Sequence, residues 1–161
     1  MKYLLDSNVF IQAKNEYYGM DFCPGFWDWL IASNEAGIVA SVARVHKELR
    51  DGGNQLAQWS GQRADEFFLP ADGSVISAAT RISAWVGGLD FKSSAVKQFE
   101  SSADLYLIAH ALAKNLVVVT HEKKRQSKKR VKIPNVCERF HVECITPFEM
   151  LRCEGARLVL G

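Results

Sequence analysis

Apolar residues along the chain fall into two alternating kinds of run. The short, dense kind comprises KYLLD (2–6), IVAS (38–41), LVVVT (116–120) and VECI (142–145), each bounded by polar or turn-forming residues. Runs of this length and β-branched content read as strands buried on both faces. Between them lie longer segments in which apolar residues return with helical spacing. After the first strand, Ser7 or Asn8 is expected to cap a helix running to about Lys14. PGFWDWLIASNEAG places Phe26, Trp27 and Leu30 on an amphipathic helix, and Gly37 suits its left-handed stop. VARVHKELRDGG aligns Val42, Val45 and Leu49 and ends on paired glycines. Further helices are expected over 54–67, 73–86 and 91–100. In SADLYLIAHALAKN, Leu105, Ile108, Ala109 and Leu112 follow the i, i+3, i+4, i+7 rule, with Ser102 or Ala103 at the start and Asn115 at the end. IPNVCERF and PFEMLRCEG supply two short helices, the second with Pro147 in its first turn.

Strands alternating with helices imply a single α/β domain, residues 1–161, with a central parallel sheet covered on both faces. In such sheets ligands bind beyond the carboxyl ends of the strands, where the strand order reverses. The acids are placed to match. Asp6 ends the first strand, and Glu122 lies just past Thr120 at the end of LVVVT. Asp104 sits in the first turn of the helix feeding that strand, and Glu48 lies beside the Val45/Leu49 stripe, where an inward orientation is expected. Each also has an ordinary alternative: Asp6, Ser7 and Asn8 as helix caps, Asp104 as an acid favoured by the helix dipole, and Glu48 as an ion-pair partner of Arg44 one turn back.

Composition narrows the possibilities. The 161 residues are 48% hydrophobic and 24% charged, with a formal net charge of +2. These values describe an ordinary globular chain, so attraction to an acidic partner must come from local clustering of charge. Asp6 interrupts the first apolar run before a secretory segment could form, and no run reaches the ~20 apolar residues of a membrane helix; a cytoplasmic location with no membrane partner is expected. Cys23, Cys137, Cys144 and Cys153 contain no C-x-x-C pair, which argues against the common zinc spacings. They are read as reduced thiols, the last three as packing residues.

Several carboxylates at one end of a sheet repel one another unless one takes up a proton or a cation intervenes. All-oxygen ligands select hard ions such as Mg²⁺ or Mn²⁺, the usual apparatus of phosphodiester chemistry. The segments YLLDSNVFI, VHKEL, SADLYLIAHA and VVVTHE, in that order, resemble the PIN-domain nucleases. With PGFWDWL and SKKRVKIPNVCERFHVECITPFEMLR, the chain is most similar to one uncharacterised PIN-like family of prokaryotes. The resemblance implies a three-layer α/β/α sandwich and a metal-dependent endoribonuclease, often the toxin of a toxin–antitoxin pair. It implies Asp6, Glu48, Asp104 and Glu122 as catalytic metal ligands, Asn8 and Thr120 as supporting polar groups, an RNA substrate, a protein antitoxin and a homodimer. One departure is Glu122, where many PIN nucleases carry Asp.

The stretch HEKKRQSKKRVKI is the most basic in the chain. Beside the expected metal site it reads as a phosphate grip, with Lys128, Lys129, Arg130 and Lys132 as candidates; the ordinary alternative is a solvated loop. Trp27, Trp29, Trp59 and Trp85 sit on helical stripes and are read as core, and the four histidines as packing or surface residues. Two rival functions are weighed: a catalytically inactive PIN-like nucleic-acid-binding module acting through a protein partner, and a phosphohydrolase with Asp6 as nucleophile. The latter chemistry wants a second Asp where the chain has Asn8.

Overall fold

A computed structural model describes residues 2–160, the side chains of residues 64 and 65 excepted. Five strands form one parallel sheet: β1 (Tyr3–Leu5), β2 (Val39–Val42), β3 (Phe68–Leu69), β4 (Val117–Val119) and β5 (Cys144–Ile145), in the order β3-β2-β1-β4-β5. Tyr3, Leu4 and Leu5 pair with Val117, Val118 and Val119 on one side, and Tyr3 and Leu4 with Val39 and Ala40 on the other. β1 is therefore the central strand, and all three of its residues are buried. The chain grows outward from β1 to β3 on one side, then returns to lay β4 and β5 on the other. The reversal falls between β1 and β4, which is where a doubly covered parallel sheet opens a crevice.

Among the described residues, ten α-helices accompany the strands: α1 (Ser7–Gln12), α2 (Pro24–Glu35), α3 (Ala43–Asp51), α4 (Gln55–Gly61), α5 (Ala64–Phe67), α6 (Gly73–Gly87), α7 (Ser93–Ser101), α8 (Ala103–Lys114), α9 (Ile133–Arg139) and α10 (Pro147–Cys153). α8 is the most deeply set. It packs on β1, β2 and β4 and buries Leu105, Leu107, Ile108, Ala109 and Ala111. Ser102 caps it by accepting from the Asp104 N–H, and Asn115 ends it in the left-handed region at φ 56°. Gly37, at φ 77°, turns the chain from α2 toward β2 as expected. Thr146 and Glu149 form a reciprocal capping box at the start of α10.

The expected fold is the one found, with local differences. α1 runs past Lys14 as a π-helical turn, Ala13–Tyr17, because no glycine or proline intervenes before Gly19. The helix expected over 54–67 is broken into α4 and α5, and β3 follows directly. Neither Ser7 nor Asn8 caps α1: the cap position is Asp6, and its side chain makes no capping bond. Cys153 is exposed and not a packing residue. Among the described residues, no helix is long and apolar enough to cross a membrane.

Candidate metal centre

The polar run that interrupts the first apolar stretch lies at the carboxyl end of the central strand. The Asp6 N–H still bonds the Val119 carbonyl at 2.9 Å, continuing the β1–β4 ladder, so the Asp6 side chain emerges at the crevice between these strands. Asp6 is 2% exposed. Thr120 donates its hydroxyl proton to Asp6 Oδ2 at 2.7 Å. With that proton committed, Thr120 Oγ1 accepts from Asn8 Nδ2 at 3.2 Å and from the Glu122 N–H at 3.1 Å. Asn8 Oδ1 accepts from the His121 N–H at 3.2 Å. Asn8 and Thr120 thus clamp the start of α1 to the end of β4 and aim Glu122 into the crevice.

Asp6, Asp104 and Glu122 each bring a carboxylate oxygen into one group whose members lie within 4.8 Å of one another. They line a cavity of ≈ 200 Å³ with Ser7, Asn8, Glu48, Ser102 and Arg130, walled further by Ala95, Gln98, Phe99 and Val131. Glu48 reaches the cavity but not the three-oxygen group. Its Oε2 accepts from the Ser7 hydroxyl at 2.8 Å and its Oε1 from the Ala103 N–H at 2.9 Å. It therefore ties α1 and α3 to the first turn of α8, next to Asp104. Its alternative partner is engaged elsewhere: the Arg44 guanidinium lies 4.1 Å from the centre of the Tyr106 ring.

Glu122 is held from the other side. Its Oε1 accepts from the Ile133 N–H at 3.3 Å, the first N–H of α9, and its Oε2 lies 3.5 Å from Arg130. Among the described residues, Arg130 is the one basic residue lining the cavity. Burial pushes the Asp6 carboxyl well above the ordinary range, and the charges of Glu122 and Glu48 push it further, against the Thr120 hydroxyl and the Ser7 N–H. Burial likewise raises Asp104, with Asp6, Glu122 and Glu48 adding to it and Arg130 opposing. Two such carboxyls titrate as a pair.

This donor set fits a hard divalent cation. It is built wholly of oxygen, it is short of positive charge, and its three carboxylates come from segments far apart in the chain. Asp6, Asp104 and Glu122 would hold the ion directly, and Glu48 through its effect on α8. Four acids scattered over the chain thus line one cavity, as their positions relative to the strands imply.

The basic loop is less uniform than its composition. Lys128 pairs with Asp90 at 2.9 Å, and Lys124 pairs with Glu138. Arg130 turns to Glu122, Lys129 is exposed, and Lys132 is half-buried before α9. The loop is pinned: the Lys92 N–H bonds the Lys128 carbonyl, Asn135 bonds both backbone groups of Arg125, and Val131 is buried. His121 stacks on Tyr17 with ring centres 5.4 Å apart and meets Phe148 at 5.6 Å, outside the cavity lining, in keeping with a packing role. Trp27 is buried, and Trp29, Trp59 and Trp85 pack against the core. The sequence gives no warning of Ser7 as a partner of Glu48, or of Gln98 on the cavity wall. Both contacts depend on how α3 and α7 dock.

Comparison with known proteins adds the following. A family model described as a domain of unknown function (DUF4411) matches residues 3–158. Among solved structures, the chain is similar to the crystal structure of VapBC2 from Rickettsia felis bound to a DNA fragment from their promoter. The TM-score is 0.54 at 16% identity, covering 91% of this chain and 98% of the other. That likeness bears on the fold, which is PIN-like, as the resemblance implies. None of the curated proteins compared with the chain matches it.

Proposed function

This chain belongs to the DUF4411 family, and from the geometry of its crevice we propose that it is a Mg²⁺- or Mn²⁺-dependent endoribonuclease. The observation that carries this reading is the group of three carboxylate oxygens from Asp6, Asp104 and Glu122 within 4.8 Å, at the point where strand order reverses. Two of these carboxyls are raised by burial and mutual repulsion, so a dication would relieve a real electrostatic cost.

A bound divalent ion would supply charge stabilisation for a phosphodiester and activation of water. The chain's own residues provide the rest. Asp6 and Asp104 form the acidic floor. Thr120 holds Asp6 in one orientation, and Asn8 fixes Thr120. Glu48 anchors the turn that presents Asp104. Glu122 closes the third side. Arg130, half-exposed at the cavity edge, is placed to leave Glu122 for a phosphate oxygen, a bond between a planar guanidinium and an anion that suits both partners. Lys129 extends positive charge outward from there. Lys128 and Lys132 contribute less in this reading, because Lys128 is paired with Asp90 and Lys132 is partly covered.

The likeness to a VapBC2 structure supports a further part of the proposal, that the chain acts as a toxin restrained by a protein antitoxin. The test is cleavage of a labelled single-stranded RNA by purified protein. Turnover that needs Mg²⁺ or Mn²⁺, stops with EDTA and is missing in Asp104→Asn supports the nuclease reading. Metal-independent turnover, or full turnover by Asp104→Asn, overturns it. Co-expression with the product of the adjacent reading frame tests the antitoxin.

A further inference from the structure

Beside the acidic crevice stands a cluster of rings that the proposed chemistry does not use. His121 lies between Thr120 and Glu122 in the chain, and its N–H bonds Asn8 Oδ1 at 3.2 Å. Asn8 lines the cavity, so the backbone that carries the imidazole is fixed to the cavity wall. Tyr17 rests on His121, near-parallel at 27° with ring centres 5.4 Å apart. Phe148, from α10, meets Tyr17 at 88° and 5.1 Å, and His121 at 63° and 5.6 Å. Stacked and edge-on contacts of this kind are the ones aromatic rings prefer. The three ring centres form a triangle of nearly equal sides, so both partners crowd one side of Tyr17. The other side is open: Tyr17 is 41% exposed.

An uncommon piece of backbone delivers that ring. Tyr17 ends the π-helical turn Ala13–Tyr17, which is closed by the Tyr18 N–H on the Ala13 carbonyl at 2.7 Å. Such turns are rare and gather at functional sites. The two tyrosines then part. Tyr18 turns inward and stacks on buried Phe26, ring centres 4.5 Å apart. Core packing accounts for Tyr18 and leaves the open side of Tyr17 without a use. The segments that carry the rings also expose Lys123, Arg125 and Arg152, against the carboxylates of Glu16 and Glu149. Glu149 is engaged in the capping box of α10.

We propose that Tyr17, propped by His121 and Phe148, is a stacking platform for an unpaired RNA base that flanks the phosphodiester held in the crevice. This deepens the endoribonuclease reading given above and rests on it for the position of the phosphodiester. A firmly seated ring with one side open and cations alongside is the arrangement that holds single strands: the ring takes the base and the cations take the phosphates. Stacking needs a π face and no particular hydrogen bond, so the platform accepts any base and selects single strands over duplex, in which every base is already stacked. His121 and Phe148 are positioning residues in this site; the group that meets the RNA is Tyr17.

Binding of a fluorescein-labelled single-stranded oligoadenylate to the full chain, followed by anisotropy in EDTA so that no cleavage intervenes, tests this. Tyr17→Ala should weaken binding by about tenfold, within the range for losing one stacked base. The slope of log Kd against log salt should stay as in wild type, because no ionic contact is removed. Tyr17→Phe keeps the ring and should bind as wild type does. 2-Aminopurine placed at successive positions of the strand should be quenched at one position by wild type and at none by Tyr17→Ala. If Tyr17→Ala fails to fold, Tyr17→Leu, which keeps the apolar bulk against His121 and Phe148 without a π face, takes its place in each comparison. The inference is wrong if wild type does not bind the strand, or if the variant lacking the ring binds it as tightly as wild type; the latter result would assign the open ring to a protein contact. It is equally wrong if Tyr17→Phe loses as much affinity as Tyr17→Ala. If wild type and Tyr17→Phe bind the strand, the variant lacking the ring binds it weakly, and wild type fails to cleave it with Mn²⁺, the nuclease reading fails while the base platform stands.

Discussion

Two glutamates flank the crevice, and their arrangements are nearly parallel. On the α3–α8 side, Glu48 accepts from the first N–H of α8; on the β4–α9 side, Glu122 accepts from the first N–H of α9. Each uses one oxygen to satisfy a helix start that would otherwise lack a partner. They differ in the second oxygen. That of Glu48 is taken by the Ser7 hydroxyl at 2.8 Å, whereas that of Glu122 lies 3.5 Å from Arg130 and stands in the acidic group with Asp6 and Asp104. A carboxylate with both oxygens bonded to protein donors serves as a brace; one with an oxygen loosely held can be offered to a ligand. Residue type alone does not distinguish these roles, but the donors around each carboxylate do.

The strongest way to break the comparison is to remove the acids it is built around. Asp6→Asn or Asp104→Asn should reduce RNA cleavage by at least about 10³-fold, the ~4 kcal/mol expected when a charge that holds the metal is lost. The same change at Asp104 should raise the melting temperature of metal-free protein at pH 8, because it removes repulsion from Asp6, Glu122 and Glu48. A variant that is both inactive and less stable in calorimetry would argue for a structural role instead.

The comparison is sharpened by neutralising each glutamate in turn. Glu122→Gln should weaken Mn²⁺ binding by about tenfold or more in titration calorimetry. Glu48→Gln should leave affinity far closer to wild type and cost about 1–2 kcal/mol of folding stability, since an amide cannot accept from both Ser7 and Ala103 with both of its atoms. Equal losses of affinity would erase the distinction between brace and ligand.

pH offers a gentler probe. The Asp6 carboxyl is pushed up to about 7 and that of Asp104 to about 8, above their unfolded values near 3.8. The folded state therefore holds more protons than the unfolded state across this interval, and metal-free stability falls as pH rises through it. Melting temperature without metal should drop steadily between pH 5 and pH 8. Saturating Mn²⁺ should oppose the drop, adding about 2.7 kcal/mol at a hundredfold excess over Kd, or roughly 5–10 °C in a chain of this size. A metal-free profile that is flat or rises would contradict the buried-acid picture. The smallest effect is expected at the basic loop: Lys129→Ala should lower the salt dependence of single-stranded RNA binding by about 0.7 in log–log slope.

How much of this could be read beforehand varies by residue. The strands β1, β2 and β4 are legible because they are dense apolar runs; the two-residue β3 has no periodicity to detect. Asp6 and Asp104 stood out because each ends or begins a strongly patterned element. The polar run Asp6-Ser7-Asn8 was ambiguous with capping, since caps and ligands use the same residue types. Only the packed structure shows that all three point to partners far along the chain: Thr120, Glu48 and Thr120 again. Glu122 could be placed at the end of β4, but its tether to α9 depends on the path of the basic loop, which no local pattern determines. The standing of Arg130 among so many basic neighbours was equally hidden, because charge clustering does not say which side chain turns inward.

The placement of β1 at the middle of the sheet has a consequence for biosynthesis. β1 has to wait for the later-made Val117–Val119 before its second edge is covered and Asp6 meets Thr120 and Glu122. An N-terminal fragment that stops short of Glu122 lacks one member of the acidic group and cannot complete the crevice.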